Sequence, residues 1–103
     1  MRARKRFGQH FLHDAQVLQR ITDAVALKSG QRVLEIGPGT GALTEYLMTT
    51  EGTHYTAVEI DRDLVPELQQ RFSALQIINT DILQVDLQEL LGPVTNEWRV
   101  VGN

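Results

Sequence analysis

The chain has 103 residues, of which 42% are hydrophobic and 22% are charged, a composition typical of one globular domain rather than of a disordered or membrane chain. It contains no cysteine, which excludes disulfide bonds and thiolate metal sites and favours an intracellular, cytoplasmic setting. No apolar stretch of the sequence reaches the length that a membrane span requires, so no membrane association is expected.

The chain begins with a basic arm, which we assign to residues 1–13. All the basic side chains of the arm precede the first acidic residue, and they are Arg2, Arg4, Lys5 and Arg6. Residues 7–103 carry six basic and thirteen acidic side chains, a net charge of −7. A basic arm on an acidic body suggests contact with a polyanion, and a solvated terminus is the alternative.

The first predicted elements are a helix, a strand and a second helix. The first helix begins at Asp14, a suitable N-cap, and its apolar residues recur at helical spacing until a Ser-Gly pair at residues 29–30 ends the run. Residues 32–37 then read as a buried strand. A glycine turn follows and leads into a helix with Leu43 and Leu47 on one face.

The same alternation continues to the end of the sequence. A second strand is predicted at residues 55–60, and Asp63 is expected to cap a third helix that has three apolar residues on its inner side. A third strand is predicted at residues 75–79. Asp86 and a glutamate three residues later have the spacing of a capping box for a short fourth helix, and residues 98–101 form a fourth strand.

This order of elements predicts an α/β fold for residues 14–103, with helices on the faces of a parallel sheet. Right-handed crossovers and the usual winding give a strand order of 3-2-1-4. Ligands of such sheets bind at the carboxyl ends of the strands, near the point where the winding reverses. The residues just past each strand are therefore the candidates for a binding site.

A glycine-rich turn, "EIGPGTGALT", follows the first strand. Gly37, Gly39 and Gly41 allow a sharp turn and let a ligand approach the main chain at the start of a helix. The spacing Gly37-x-Gly39-x-x-Ala42 also satisfies a loose dinucleotide fingerprint, with Glu59 about 20 residues further on. A nicotinamide or flavin dinucleotide is therefore the main alternative ligand.

Glu35, two residues before the first glycine, indicates whether the ligand is a dinucleotide. A pyrophosphate beside this carboxylate would be repelled by like charge in a partly desolvated cleft. S-adenosylmethionine carries a sulfonium and an ammonium group, and both would be stabilised there. The Glu35 carboxylate therefore favours S-adenosylmethionine as the cofactor.

Two further carboxylates follow the next two strands. Glu59 is placed to accept hydrogen bonds from both ribose hydroxyls of the cofactor, and Asp81 could accept one from the adenine amino group. Asp81 taken alone fits a helix cap equally well. We interpret Asp61 as a turn residue. Tyr55, within the second strand, is expected to be a core residue.

Five segments of the sequence resemble the ribosomal RNA adenine dimethyltransferases, and the resemblance covers essentially the whole chain. The segments occur in the family's order and spacing, and they are "FGQHFL" (7–12), "EIGPGTGALT" (35–44), "VEID" (58–61), "TDIL" (80–83) and "VGN" (101–103). The resemblance implies a Rossmann-like methyltransferase domain that transfers methyl groups from S-adenosylmethionine to N6 of two adjacent adenosines in small-subunit ribosomal RNA. It therefore implies ribosome biogenesis as the process and the small-subunit precursor as the partner.

The resemblance also implies specific site residues. The expected cofactor contacts are His10, Leu12, Gly37, Glu59, Asp81 and Asn103, with Glu35 near the methionine end. His10 stands where the family often has asparagine, and an imidazole can also donate or accept one hydrogen bond. Asn103 corresponds to the catalytic asparagine of an Asn-Leu-Pro-aromatic motif. No metal is required, and the basic arm is expected to bind RNA.

The resemblance leaves three expectations and two alternatives. The chain is expected to be the N-terminal half of the domain, truncated after the fourth strand, and for that reason to be inactive alone, with weak or absent cofactor binding. The exposed fourth strand is expected to pair with a second copy. The alternatives are a macrolide-resistance type of methyltransferase acting on large-subunit RNA and a non-catalytic RNA-binding assembly factor of the same fold.

Overall fold

The computed structural model of the chain describes residues 14–93 and 97–102. Helices and strands alternate along these residues as the sequence predicts. In chain order the elements are α1 (Ala15–Val25), β1 (Arg32–Ile36), α2 (Ala42–Leu47), β2 (His54–Val58), α3 (Val65–Arg71), β3 (Gln76–Ile78), a 3₁₀ turn (Ile82–Gln84), α4 (Leu87–Leu91) and β4 (Trp98–Gly102).

The four strands form one parallel sheet in the order β3-β2-β1-β4, which confirms the predicted topology. The register pairs Ile36 of β1 with Val58 of β2 on one side and with Gly102 of β4 on the other. The carboxyl ends of these three strands therefore meet at one edge of the sheet, directly below the glycine turn.

One face of the sheet carries the main core. Val33 of β1 and Ala57 of β2 are fully buried there under apolar side chains of α1, α2 and α3. The main apolar side chains of this layer come from the three helices and from the segment between α3 and β3, and they are Leu18, Leu43, Leu47, Leu68 and Leu75. Helical spacing in three separate segments thus supplies one continuous apolar layer on the sheet.

The opposite face is covered less completely. Leu34 of β1 is fully buried, but Val100, its partner in the register on β4, is 55% exposed. Leu83 is also largely exposed, and Leu87 is a little less than half exposed. Among the described residues no helix is long and apolar enough to cross a membrane.

Two helix ends differ from the sequence-based predictions. α1 ends at Val25 rather than at residues 29–30, because Ala26 adopts a left-handed conformation (φ 50°) and donates its N–H to the carbonyl of Thr22. This turn lets Leu27 pack against the core instead of continuing along the helix. Asp14 caps the other end of α1 as predicted, accepting from the N–H groups of the second and third following residues.

The prediction that Asp63 caps α3 is wrong. Its own N–H donates to Oδ1 of Asp61 at 2.9 Å, which makes Asp61 the turn residue, as expected. The turn delays the helix, so the N-cap position falls on Leu64, which has no side chain able to cap. Asp86 does cap α4, accepting from the N–H of Glu89 at 3.1 Å, as predicted. The 3₁₀ turn before α4 was not predicted.

Candidate functional site

The glycine turn, residues 37–41, lies at the carboxyl end of β1 and uses three left-handed residues. Gly37, Gly39 and Gly41 have φ angles of 71°, 61° and 90°. A Cβ atom built on Gly37 or Gly39 would meet nothing within 4 Å. Glycine is needed at these two positions for its backbone conformation, and the space beside the loop is open for a ligand.

Gly41 is constrained by its neighbours as well as by its φ angle. A Cβ atom there would lie 2.8 Å from Cε2 of Phe72 and 3.2 Å from Cδ2 of Leu68, both contributed by α3 and its C-cap. Arg71 of α3 donates a hydrogen bond to the carbonyl of Thr40 and pairs with Glu45 at 3.5 Å. The last turn of α3 therefore fixes the end of the loop that leads into α2.

Glu59 holds the middle of the loop. It follows β2 directly and is only 4% exposed. Its Oε1 accepts a hydrogen bond from the N–H of Gly39 at 3.0 Å, and its Oε2 accepts one from the N–H of Asp61 at 2.9 Å. Asn79, just past β3, donates to the Glu59 carbonyl at 2.7 Å. One carboxylate thus joins the ends of β1 and β2 through main-chain donors.

The predicted contact of Glu59 with the ribose hydroxyls remains compatible with this arrangement. A carboxylate offers about four lone-pair directions, and the two backbone N–H groups use two of them. The structure adds a role that the sequence did not indicate, because Glu59 shapes the loop before any ligand is considered.

Glu35 is held by side chains rather than by the backbone. It lies in β1, one residue before the strand ends, and is 3% exposed. The hydroxyls of Thr44 in α2 and Tyr55 in β2 both donate to its Oε1, at 2.6 and 2.8 Å. Tyr55 is therefore buried as predicted, and its hydroxyl adds a polar contact that the core assignment did not include.

The burial of this group changes its acid–base properties. Burial raises the pKa of the Glu35 carboxyl above its usual range, the two hydroxyl donors lower that pKa in part, and the nearby Glu59 charge raises it further. Burial, followed by the adjacent Glu35 charge, likewise raises the pKa of the Tyr55 hydroxyl. Tyr55 therefore acts as a neutral hydrogen-bond donor.

The described part of the chain gives neither carboxylate a basic partner. The ion pairs among residues 14–93 and 97–102 involve Glu45 and Glu97 instead, and both of these are largely exposed. Within the same residues no group of three or more His, Asp or Glu side chains could hold a metal ion. The site thus presents two buried acids beside an open loop, and residues 14–93 and 97–102 supply no cation that pairs with them.

Asp81 occupies the third strand end. Its side chain accepts from the N–H of Leu83 at 3.0 Å and caps the 3₁₀ turn. The structure therefore shows the capping alternative, and the proposed contact with adenine stays a prediction. The bond to Leu83 uses Oδ1 only, so the second oxygen can still take a donor.

Several predicted site residues lie outside the described residues. They are Arg2, Arg4, Lys5, Arg6, His10, Leu12 and Asn103. Asn103 follows Gly102, and Gly102 pairs with Ile36 at the base of the glycine turn.

Sequence reasoning missed the residues that position the carboxylates. Thr44, Tyr55, Asn79 and Arg71 each hold a site residue or the loop, yet none was chosen as a site residue. A signal existed for Tyr55, since a tyrosine in a predicted core strand must place its hydroxyl against a polar group. The other three act across long sequence separations that local patterns do not encode.

Comparison with known proteins places this chain in a family. The sequence model for ribosomal RNA adenine dimethylase matches residues 1–103, which is the whole chain. The chain belongs to the ribosomal RNA adenine dimethylase family. The resemblance noted in the sequence is thereby confirmed, and the match covers the residues of both the glycine turn and the basic arm.

Curated relatives of this dimethylase-family chain carry the name "Ribosomal RNA small subunit methyltransferase A". The protein from Pseudomonas putida is 49% identical over 105 residues, covering 99% of this chain and 39% of the relative. The protein from Geobacter sulfurreducens is also 49% identical, covering 100% of this chain and 38% of the relative. The chain thus spans about two fifths of the length of the curated relatives it matches.

Solved structures confirm the Rossmann-like methyltransferase fold. The 23S rRNA methyltransferase ErmE is 29% identical, with a TM-score of 0.67 over 86% of this chain and 35% of that chain. A S-adenosylmethionine-dependent methyltransferase from Thiobacillus denitrificans, solved with S-adenosyl-L-homocysteine, is 21% identical with a TM-score of 0.54. At that identity the second likeness concerns the fold alone.

Proposed function

We propose that this chain forms the S-adenosylmethionine-binding part of an enzyme that dimethylates N6 of two adjacent adenosines in small-subunit ribosomal RNA. The observation that carries the proposal is the pair of buried carboxylates, Glu35 and Glu59, beside an open glycine loop. In the described residues no basic side chain forms an ion pair with either. A ligand with sulfonium and ammonium groups brings the positive charge that such a site favours.

The same observation disfavours the dinucleotide alternative. A pyrophosphate at the glycine turn would add negative charge next to two acids that already lie close enough for the Glu59 charge to affect the pKa of Glu35. Like charges in a site of low dielectric repel each other by kilocalories. The charge of the site therefore supports S-adenosylmethionine over a nicotinamide or flavin dinucleotide.

Each strand end has a proposed role in binding the cofactor. The open backbone of Gly37 and Gly39 lies along the ligand, Glu59 accepts the ribose hydroxyls and Asp81 accepts the adenine amino group. Glu35 is assigned to the methionine end. His10 and Leu12 are assigned to the cofactor by the family resemblance.

The transfer step needs a nucleophile and an acceptor for its protons. When bound, S-adenosylmethionine supplies an electrophilic methyl group whose bond to sulfur breaks, with the electron pair left on sulfur, as the bond to adenine N6 forms. Asn103 accepts hydrogen bonds from the amino group and so increases the availability of its lone pair. One N6 proton is lost to solvent in each transfer.

The RNA target rests on the relatives and on the charge of the arm. Proteins named for the small subunit are 46–50% identical to this chain, whereas ErmE, named for 23S rRNA, is 29% identical. We therefore propose small-subunit RNA in the cytoplasm as the target, with Arg2, Arg4, Lys5 and Arg6 contacting its phosphates. Large-subunit RNA, or an assembly role without catalysis, is the alternative.

Ligand titration of the 103-residue chain tests the cofactor assignment. Amide resonances of residues 37–41 are followed by NMR while S-adenosylhomocysteine or NADH is added to high concentration, because we expect weak binding. We expect the loop and Glu59 amides to shift with S-adenosylhomocysteine and to shift less with NADH. Stronger binding of NADH would overturn the assignment.

A chimera tests the reaction and its substrate. Residues 1–103 replace the matching segment of the Pseudomonas putida relative, and methyl transfer is measured on small-subunit and large-subunit precursor particles. We expect transfer to the small-subunit particle and none from residues 1–103 alone. Transfer to large-subunit RNA would favour the macrolide-resistance class, and an inert chimera that still supports subunit assembly would favour the assembly factor.

We also propose that the 103-residue chain self-associates through β4. This strand forms one edge of the described sheet, and Val100 on it is 55% exposed. An unpaired strand edge with an apolar side chain is a template for a second copy. Sedimentation at increasing concentration should reveal a dimer that Val100→Lys weakens, and a strictly monomeric chain at high concentration would contradict this.

A further inference from the structure

The cluster formed by Glu35, Thr44 and Tyr55 lies beneath the glycine turn and joins three elements. Glu35 comes from β1, Thr44 from α2 and Tyr55 from β2. All three residues are at most 4% exposed, with Thr44 fully buried. Two hydroxyl groups are thus committed to one buried carboxylate, at a position where apolar side chains would fill the core equally well.

The two hydroxyls bond to the same oxygen of the carboxylate. Both donate to Oε1, Thr44 at 2.6 Å and Tyr55 at 2.8 Å. Two donors from rigid elements on one oxygen fix the plane of the carboxylate as well as its position. The orientation of Oε2 follows from that of Oε1.

Oε2 is the oxygen that remains available. Among the described residues no donor lies on it, and no buried side-chain nitrogen or oxygen in this part of the chain is left without a hydrogen-bond partner. Oε2 must therefore be slightly exposed to solvent. An oxygen that is fixed, nearly buried and unpaired is suited to one well-placed donor.

The charge around Oε2 indicates what kind of donor fits. Glu59 lies close enough for its charge to disfavour ionisation of Glu35, and burial disfavours ionisation more strongly. The described residues supply no cation to either acid. A cationic donor relieves both effects, whereas a neutral hydroxyl relieves neither of them fully.

We propose that Thr44 and Tyr55 are positioning residues, which occupy Oε1 of Glu35 so that Oε2 receives the cationic amino group of an amino-acid-bearing nucleoside. The inference rests on the proposed function, since the nucleoside is S-adenosylmethionine or its product. The two hydroxyls thus make the site selective for the amino group, and the rest of the site provides the affinity for the nucleoside.

The experiment compares two ligands that differ only in that amino group. They are S-adenosylhomocysteine and its deaminated analogue, which keeps the carboxylate. Dissociation constants are taken from ligand titrations of the chimera that carries residues 1–103 in the Pseudomonas putida relative, and the ratio of the two constants measures selectivity for the amino group. Thr44→Val and Tyr55→Phe remove one hydroxyl each and preserve the shape of the side chain.

We expect the unchanged chimera to prefer the aminated ligand. Each single variant should reduce that preference by about 2- to 10-fold, the effect of one hydrogen bond, and Glu35→Gln should nearly abolish it. Thr44→Ser, which keeps a hydroxyl, should restore it. Tyr46→Phe is the matched control, because Tyr46 lies on the same helix as Thr44 and its hydroxyl makes no hydrogen bond within the described residues.

The outcomes separate this inference from the proposed function. If the variants weaken both ligands equally, the hydroxyls are merely structural and the inference is overturned while cofactor binding stands. If the unchanged chimera binds neither ligand, or binds NADH more tightly, the proposed function fails and takes the inference with it. Thermal unfolding of each variant confirms that the compared proteins are folded.

Discussion

The carboxylates at the ends of β1 and β2 are equally buried but are held in opposite ways. Both oxygens of Glu59 accept hydrogen bonds from main-chain N–H groups, one of them in the glycine turn. Glu35 receives only side-chain hydroxyls, and both of them bond to the same oxygen. The backbone of the loop therefore depends on Glu59 and is independent of Glu35.

This difference separates a carboxylate that builds the site from one that is available to a ligand. Removing Glu59 leaves two backbone donors without their acceptor, so the loop itself should change. Removing the charge of Glu35 leaves every backbone bond in place, so only the electrostatics of the pocket should change. Substitutions that change stability can therefore distinguish the two roles.

The first test asks how tightly α3 packs against the end of the loop. Gly41→Ala combines a strained φ angle with a Cβ atom 2.8 Å from the Phe72 ring, and should lower the free energy of unfolding by about 2 to 4 kcal/mol. Gly39→Ala meets open space and should cost only the backbone strain, about 1 to 2 kcal/mol. Urea denaturation of both variants gives the comparison, and equal losses would contradict it.

The second test removes the acceptor from the loop. Glu59→Ala should lower the free energy of unfolding by about 2 to 3 kcal/mol, because two hydrogen bonds to a charged acceptor are lost. Glu45→Ala is the control, since Glu45 is exposed and its pairing with Arg71 should contribute less than about 1 kcal/mol. A loss at Glu59 no larger than the loss at Glu45 would show that the loop does not depend on this carboxylate.

The third test concerns the hydroxyls on Glu35. Thr44→Val and Tyr55→Phe should each lower the free energy of unfolding by about 1 kcal/mol. Because both hydroxyls donate to one oxygen, their effects should not add in the double variant. Chemical denaturation of the four proteins in this cycle measures the coupling. If the two losses in the free energy of unfolding added strictly, the two hydroxyls would act on the carboxylate independently of each other.

The parts of this site that the sequence revealed are those encoded locally. The glycine turn and Glu59 follow their strands directly and Asp81 lies three residues past β3, and parallel strands bring their carboxyl ends together. The strand order itself followed from the alternation of elements and the handedness of crossovers. Local signals of this kind locate a site without showing how its groups are bonded.

The bonding within the site depended on contacts that no local pattern records. Thr44 reaches Glu35 because α2 packs on β1, and Arg71 reaches the Thr40 carbonyl across 31 positions of sequence. The wrong cap prediction at Asp63 has a similar cause, since the turn closed by the Asp63 N–H and the Asp61 side chain moves the start of the helix past Asp63. Competition between nearby polar groups is decided by geometry, which the sequence alone does not give.

The last and smallest effect is the one that most sharply separates the two carboxylates. Burial raises the pKa of the Glu35 carboxyl in the folded state, so the stability linked to this group is fully present at acidic pH and is lost as the pH rises through that raised pKa. Glu35→Gln removes this dependence, and its amide oxygen can still accept from Thr44 and Tyr55.

The variant should therefore match the unchanged chain at acidic pH and become relatively more stable as the pH rises. Glu59→Gln should destabilise instead, because its amide nitrogen would face a backbone N–H that needs an acceptor. Denaturation midpoints at a series of pH values test both variants together. A loss of stability at neutral pH in Glu35→Gln as large as in Glu59→Gln would mean that both carboxylates build the site, and the separation between them would fail.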